Sequence, residues 1–152
     1  MSDQQPVFQI EKLYVKDLSL ELPNAPQCFL ERESPQIEVQ MNTTGSAVSD
    51  GIFDVTLKGT VTAKIGDKTI YLIEAAQAGV FRMENIPEAE LGPLLAIGCP
   101  TILFPYLREV ISDGIVRGGF PPLILAPVNF EALYQQQAAQ QAAAQSASGT
   151  PQ

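Results

Sequence analysis

The chain has 152 residues, 45% of them hydrophobic and 17% charged, the composition of one globular domain with a single core; a disordered protein is excluded. Seventeen acidic against nine basic residues give a net charge of -8, which disfavours phosphate backbones and anionic membranes and suits a basic partner surface. There is no histidine, which removes the Ser-His and Cys-His nucleophilic systems and the common zinc spacings.

Residues 1–7 read as a flexible polar leader, and the opening MSDQQPVFQI lacks the cationic start and apolar run of a secretory signal, so the expected setting is cytoplasmic. From Phe8 to Leu22 (FQIEKLYVKDLSLEL) an alternating pattern predicts a long strand. Its apolar set changes phase twice: Phe8 and Ile10, then Leu13 and Val15, then Leu18, Leu20 and Leu22. Either bulges or different partners over the two faces explain this, and both faces are expected to carry apolar residues. Pro23 to Gln36, with three prolines and no period, predicts a long ordered crossover loop in which Phe29 and Leu30 need cover. Ile37, Val39 and Met41 alternate with polar residues in a short second strand, ending in the turn-rich TTGSAVSDG. The third strand, Phe53 to Ile65, has an apolar residue at every second position apart from Gly59, and Gly66-Asp67 predicts a two-residue hairpin. The fourth, Thr69 to Phe81, is apolar on both sides, with Ile70, Leu72 and Val80 opposed to Tyr71, Ile73, Ala75 and Phe81.

Between Glu90 and Arg108 lie 17 uncharged residues, LGPLLAIGCPTILFPYL, short of the about 20 that usually cross a bilayer. Three prolines and two glycines interrupt them, so a kinked helical hairpin buried against protein is expected, with no direct membrane insertion. Tyr106, Leu107, Val110 and Ile111 then predict an amphipathic helix, stopped at Gly118-Gly119. FPPLILAPVNF is too proline-rich for helix. Asn129 is a candidate N-cap for a last helix whose first turns carry Phe130, Leu133 and Tyr134. Residues 136–152 form a Gln/Ala-rich tail, partly helical, with a disordered Ser-Gly-Thr-Pro terminus. Cys28 and Cys99, with no C-x-x-C spacing, read as reduced, half-buried apolar residues.

Strands followed by helices give an α+β fold: a four-stranded antiparallel sheet with helices packed on one face. Those helices are expected to leave Ile73, Phe81 and the out-of-phase positions of the first strand uncovered, which makes a second copy of the chain the economical cover. The first strand, if it lies at an edge, is also a template for pairing between subunits. Among the carboxylates, Asp17 and Glu21 lie four apart on a strand, roughly 13 Å, too far for an acid/base pair. They read either as a solvated strip or as a partner site, and Glu74, set among aliphatics, suits a mixed contact surface. Phe29, Leu30, Phe130, Leu133 and Tyr134 either close the core or line a groove between loop and helix that accepts extended apolar peptide. No enzyme activity, metal or other cofactor is called for.

Three stretches carry a resemblance: YVKDLSLELPNAP (Tyr14 to Pro26), CPTILFPYLRE (Cys99 to Glu109) and RGGFPPLILAPVNFEALY (Arg117 to Tyr134). Over residues 8–135 the chain resembles the SecB export chaperones of proteobacteria. The resemblance implies a dimer of dimers, a homotetramer with helices between two eight-stranded sheets. It also implies an ATP-independent holdase that keeps precursor proteins unfolded and delivers them to the SecA motor, with no nucleic acid partner. Carried over residue by residue, SecA docking falls on Asp17, Glu21, Leu72 and Glu74, a surface suited to SecA's basic C-terminal tail. Tetramer assembly falls on Ile73, Ala75 and Gln77, and the client groove on Phe29, Leu30, Phe130, Leu133 and Tyr134. The chain departs from the family at Glu33, where some relatives have tryptophan, and in its uncharged tail. The alternatives are a SecB-like module for a narrow client set, such as a toxin-antitoxin pair, and a carrier or enzyme using the sheet-helix cavity.

Overall fold

A computed structural model describes residues 4–148. Its strands β1 (Val7–Glu21), β2 (Gln36–Ser49), β3 (Ile52–Ile65) and β4 (Lys68–Glu84) form one antiparallel sheet in the order β1-β4-β3-β2. A single 3-10 turn, Gln27–Leu30, orders the crossover loop. The helices α1 (Glu88–Pro93), α2 (Cys99–Arg117) and α3 (Phe130–Ser148) follow the sheet. The expected leader ends where β1 starts, at Val7; its first three residues and residues 149–152 of the expected disordered terminus lie outside the described residues.

The phase changes in β1 are bulges. Pairing with β4 shifts between Ile10 and Lys12 and again between Val15 and Asp17. Each extra residue moves the alternation by one, so Phe8, Ile10, Leu13, Val15, Leu18 and Leu20 all end on one face, opposite Met83, Phe81, Gly79, Gln77, Ala75 and Ile73. The apolar set is therefore not divided between two faces as expected. β1 does lie at an edge. At the other edge, β2 runs on past Asn42 through the sequence read as a turn, because β3 is long enough to pair with it past Ala47 opposite Phe53 and, after a bulge, as far as Ser49 opposite Ile52. The turn comes at Asp50-Gly51, where Gly51 has φ +71°.

The apolar stretch forms no hairpin. Helix runs without reversal from Glu88 to Arg117 through a wide π turn at Leu94–Gly98, where the Cys99 N–H donates to the Leu94 carbonyl. The wider turn accommodates Pro100, which has no N–H to give, and the Thr101 hydroxyl donates to the Ile97 carbonyl at 2.6 Å. Among the described residues this is the one helix long and apolar enough to cross a membrane. Here its apolar side lies on the sheet, with Leu103, Phe104, Leu107, Ile111 and Ile115 buried. It stops as expected: Gly119, at φ +92°, and Phe120 donate back to Val116 and Ile115 in a Schellman ending.

α2 packs over β4 and β3 and barely reaches β1. Ile73 and Phe81 are consequently fully buried beneath it within one chain, which corrects the expectation that they need a second copy. Glycine allows the close approach. A Cβ on Gly114 would stand 2.4 Å from Ile73 Cδ1, and one on Gly59 would meet Ile111 and Leu107 at 3.0 and 3.1 Å.

On the opposite, open face a polar cluster ties the edge to the interior of the sheet. The Tyr14 hydroxyl donates to Asp54 Oδ1 at 2.6 Å and Lys16 Nζ to Oδ2 at 2.5 Å, both reaching from β1 to β3 over β4. Burial alone would raise the Asp54 carboxyl, but the bonds from Lys16 and Tyr14 prevail and hold it below its ordinary value.

Gly114→Ala should destabilise the protein by about 1 kcal/mol or more through overpacking. With Ile73→Val, which deletes the offending Cδ1, the same change should be neutral or stabilising, since alanine favours helix by about 1 kcal/mol. Urea unfolding at one fixed protein concentration measures this coupling, and equal losses in both backgrounds would contradict the contact. Asp54 stabilises the fold above its unfolded pKa of about 4, and that stability is lost as pH falls through the lower folded value. Asp54→Asn should therefore lower the urea midpoint at neutral pH, with the gap to wild type closing as the solution is taken from about pH 5 towards pH 2.

Candidate functional site

The helix side of β2 is only partly covered, and two cavities open along it. In the first, of ≈ 310 Å³, Phe130, Leu133 and Tyr134 of α3 face Met41 and Leu57 of the sheet, with Leu95 of the π turn beside them. α3 begins as expected: Asn129 Oδ1 accepts from the Ala132 N–H at 3.0 Å. Phe130 is buried edge-on to Phe104 with ring centres 6.2 Å apart, while Leu133 is 43% exposed at the mouth. The helix then continues through Gln and Ala to Ser148.

The second cavity, of ≈ 380 Å³, lies between the crossover loop and the segment after α2. Phe120 is its central ring, 5.3 Å from Phe29 and 5.1 Å from Tyr71. Ile37 and Leu123 complete the apolar wall, and Glu31 and Glu33 also line the cavity, with Glu31 held by Lys68 at 2.5 Å.

The loop and helix residues therefore do not share one groove. Phe29 belongs to the second cavity, Phe130, Leu133 and Tyr134 belong to the first, and Leu30, 80% exposed, lines neither. Ile37 in one cavity and Met41 in the other lie on the same face of β2, about 13 Å apart along the strand, with half-exposed Val39 between them. Sequence reading missed Phe120. The signal for it was the Gly-Gly stop, since a Schellman ending turns the apolar residue that follows it back against the structure.

The open sheet face gathers the four residues of the acidic set. Asp17 pairs with Ala76, Ser19 with Glu74 and Glu21 with Leu72, so Asp17, Glu21, Leu72 and Glu74 share one face over a few register positions. Lys58 of β3 reaches into this group: its Nζ lies 2.7 Å from Glu74 Oε2. The hydrogen bond and charge of Glu74, with a further pull from Asp17, raise the Lys58 pKa. Asp17 and Glu21 hold no ion pair among the described residues.

Ile73, Ala75 and Gln77 point the other way and are buried under α2. Further uncovered surface of the helix side belongs to β1, where Phe8, Ile10, Val15 and Leu18 are exposed beside a free backbone edge. On the outer surface of α2, Tyr106 and Val116 are also exposed. Neither cysteine is placed for chemistry: both are buried, and burial pushes the Cys99 thiol up to about 12. Among the described residues no group of acidic or sulfur ligands could hold a metal ion. The arrangement offers apolar recesses for side chains on one face and carboxylates for cations on the other.

The sequence matches the family described as Preprotein translocase subunit SecB over residues 1–141. It is 59% identical over 142 residues to the protein-export protein SecB of Dechloromonas aromatica, covering 93% of each chain. It is 62% identical over 134 residues to that of Aromatoleum aromaticum, covering 88% of this chain and 84% of the relative. Among solved structures, the fold resembles the Mycobacterium tuberculosis Rv1957 SecB-like chaperone in complex with a ChAD peptide from the Rv1956 HigA1 antitoxin. That likeness has a TM-score of 0.66 at 19% identity, over 80% of this chain and 90% of the other, and it is one of fold. With a family match from residue 1 to residue 141 and relatives aligned along nearly their whole length, this chain belongs to the SecB family of protein-export chaperones.

Proposed function

We propose that the protein is a cytoplasmic, ATP-independent holdase that keeps precursor proteins unfolded and passes them to SecA. The observation that carries this reading is the pair of open, largely apolar cavities ranged along β2. An extended segment of client chain laid beside that strand would place one apolar side chain near Ile37 and Phe120 and another near Met41 and Leu133. Folded proteins hide such segments, so selectivity for unfolded chains needs no enzymatic step and no cofactor. Several such sites on one assembly would hold a long client by avidity.

The assembly we propose is a homotetramer, a dimer of dimers. The free β1 edge and its exposed Phe8, Ile10, Val15 and Leu18 support pairing and burial between two copies. Ile73, Ala75 and Gln77 would act on assembly indirectly, by setting the position of α2. SecA would dock on Asp17, Glu21, Leu72 and Glu74, where apolar area and carboxylates adjoin. The body of the chaperone would be residues 8–135, with residues 136–148 of the Gln/Ala-rich tail a projecting helix. The narrow-client alternative has less support, since the relatives at 59% and 62% identity are named for protein export, whereas the toxin-antitoxin chaperone is alike in fold at 19%.

A several-fold excess of the protein, without nucleotide, should slow refolding of a maltose-binding-type precursor; no delay would overturn the holdase reading. Phe120→Ala and Leu133→Ala should each weaken client binding about fivefold to tenfold, and Leu30→Ala less than about twofold. Titration with a fluorescent unfolded client checks this order. Reversing charge at Asp17, Glu21 and Glu74 together should abolish SecA binding while leaving the refolding delay intact, as read by parallel SecA pull-down and refolding assays. A silent triple variant would favour the narrow-client alternative.

A further inference from the structure

We infer that Lys58 is the chain's own competitor for the acidic sheet face, a built-in cation that a basic partner must displace in order to bind. This rests on the docking role proposed above for Asp17, Glu21, Leu72 and Glu74, and assigns a control to that same surface.

The geometry comes from the register. Lys58, Ala76 and Asp17 form one row across β3, β4 and β1, while Thr60, Glu74 and Ser19 form the next on the same face. The methyl of Ala76 is the only side chain between Lys58 and Asp17, so little stands between that ammonium and the carboxylate two strands away. Its bond goes diagonally to Glu74, at 2.7 Å. Glu74 thus holds Lys58, Asp17 feels its charge without a bond, and Glu21 lies further along the sheet. Of the other cations on this face, Lys16 is committed to Asp54, and Arg82 to Glu11 and Glu84, while Lys12, opposite Val80, and Lys64, four residues along β3 from the row of Glu74, lie away from that carboxylate. Beside the pair, a hollow lined by Gln40, Asn42 and Thr60 offers neutral acceptors to an arriving cation.

The pair is suited to exchange. Both side chains are in contact with solvent, at 49% and 35% exposure, and an exposed ion pair of this kind holds weakly. One arriving cation gains Glu74 only by releasing Lys58, which leaves little net gain. A peptide with several aligned cations engages Asp17 and Glu21 as well, which hold no ion pair among the described residues. Lys58 therefore lowers the affinity of the face for isolated cations and sets a threshold that favours a clustered basic segment. The partner chemistry is a peptide with at least two or three closely spaced lysines or arginines.

Calorimetric titration of the whole protein with the basic C-terminal peptide of SecA tests this. Lys58→Met and Lys58→Gln should each tighten binding by about threefold to tenfold at low ionic strength, with the gain shrinking towards 0.5 M salt, roughly, as screening grows. Lys64→Met, which removes the same charge from the same face of β3 away from Glu74, should change affinity less than about twofold. If the Lys58 variants bind equally or more weakly while Asp17→Asn and Glu74→Gln lose affinity, the competitor role is wrong and the docking surface stands. Should Asp17→Asn and Glu74→Gln both be silent, the docking surface and the role of Lys58 fall together.

Discussion

Gly114 brings α2 so near β4 that even a methyl group there would overlap Ile73, and Gly59 on β3 makes the same room for Leu107 and Ile111. That close seating fixes the helix over the two inner strands. A 19-residue helix pressed against the middle of a four-stranded sheet cannot also reach its borders, and both edge strands keep apolar side chains in contact with water. The tightness of the centre is thus the cause of the openness of the edges. A looser helix, held off by side chains at 59 and 114, would sit higher and cover neither the core nor the borders well.

The two borders are finished differently. β1 carries two bulges that bring Phe8 through Leu20 onto one face, and its backbone edge is free, a combination suited to another β edge of the same chain. β2 is overhung by the crossover loop at one end and by α3 at the other, which leaves recesses rather than a flat strip. The open face is mostly charged, polar and small residues with a few larger ones such as Leu72 and Tyr14 among them, and its clustered carboxylates are set by strand pairing. One sheet therefore has three separate surfaces, which we propose serve its own copies, extended client chains and a basic partner respectively.

Much of this was legible in the sequence, and what was not depended on contacts distant along the chain. Strict alternation in β3, the Gly66-Asp67 hairpin, the Gly118-Gly119 stop and the Asn129 cap are local signals, and each appears where expected. The face assignments failed where local period is silent. Ile73 and Phe81 looked like assembly residues because alternation cannot say which side of a strand the helix will choose. β2 overran its predicted end because a long β3 imposed pairing on a turn-like sequence, and the expected hairpin of helix became continuous because a π turn accommodated its prolines. In the candidate site, the i, i+3, i+4 spacing of Phe130, Leu133 and Tyr134 made one cavity readable. The division into two cavities was not readable, because Phe29 and Tyr71 meet Phe120 only in the folded chain. Lys58 had no distinguishing neighbour in sequence, and only the register brought it to Glu74.

The central claim is that one tightly seated helix leaves two unequal borders, one shared with another copy of the chain and one left for clients. Hydrogen exchange followed by mass spectrometry, on the protein alone and with an unfolded client bound, addresses both borders at once. The account predicts slow exchange along the outer amides of β1 in both samples. It predicts that residues 36–45, residues 119–123 and the first turns of α3 exchange readily in the free protein and slow when client is added. Rapid exchange along β1 in the free protein, or client protection confined to the open sheet face, would contradict it.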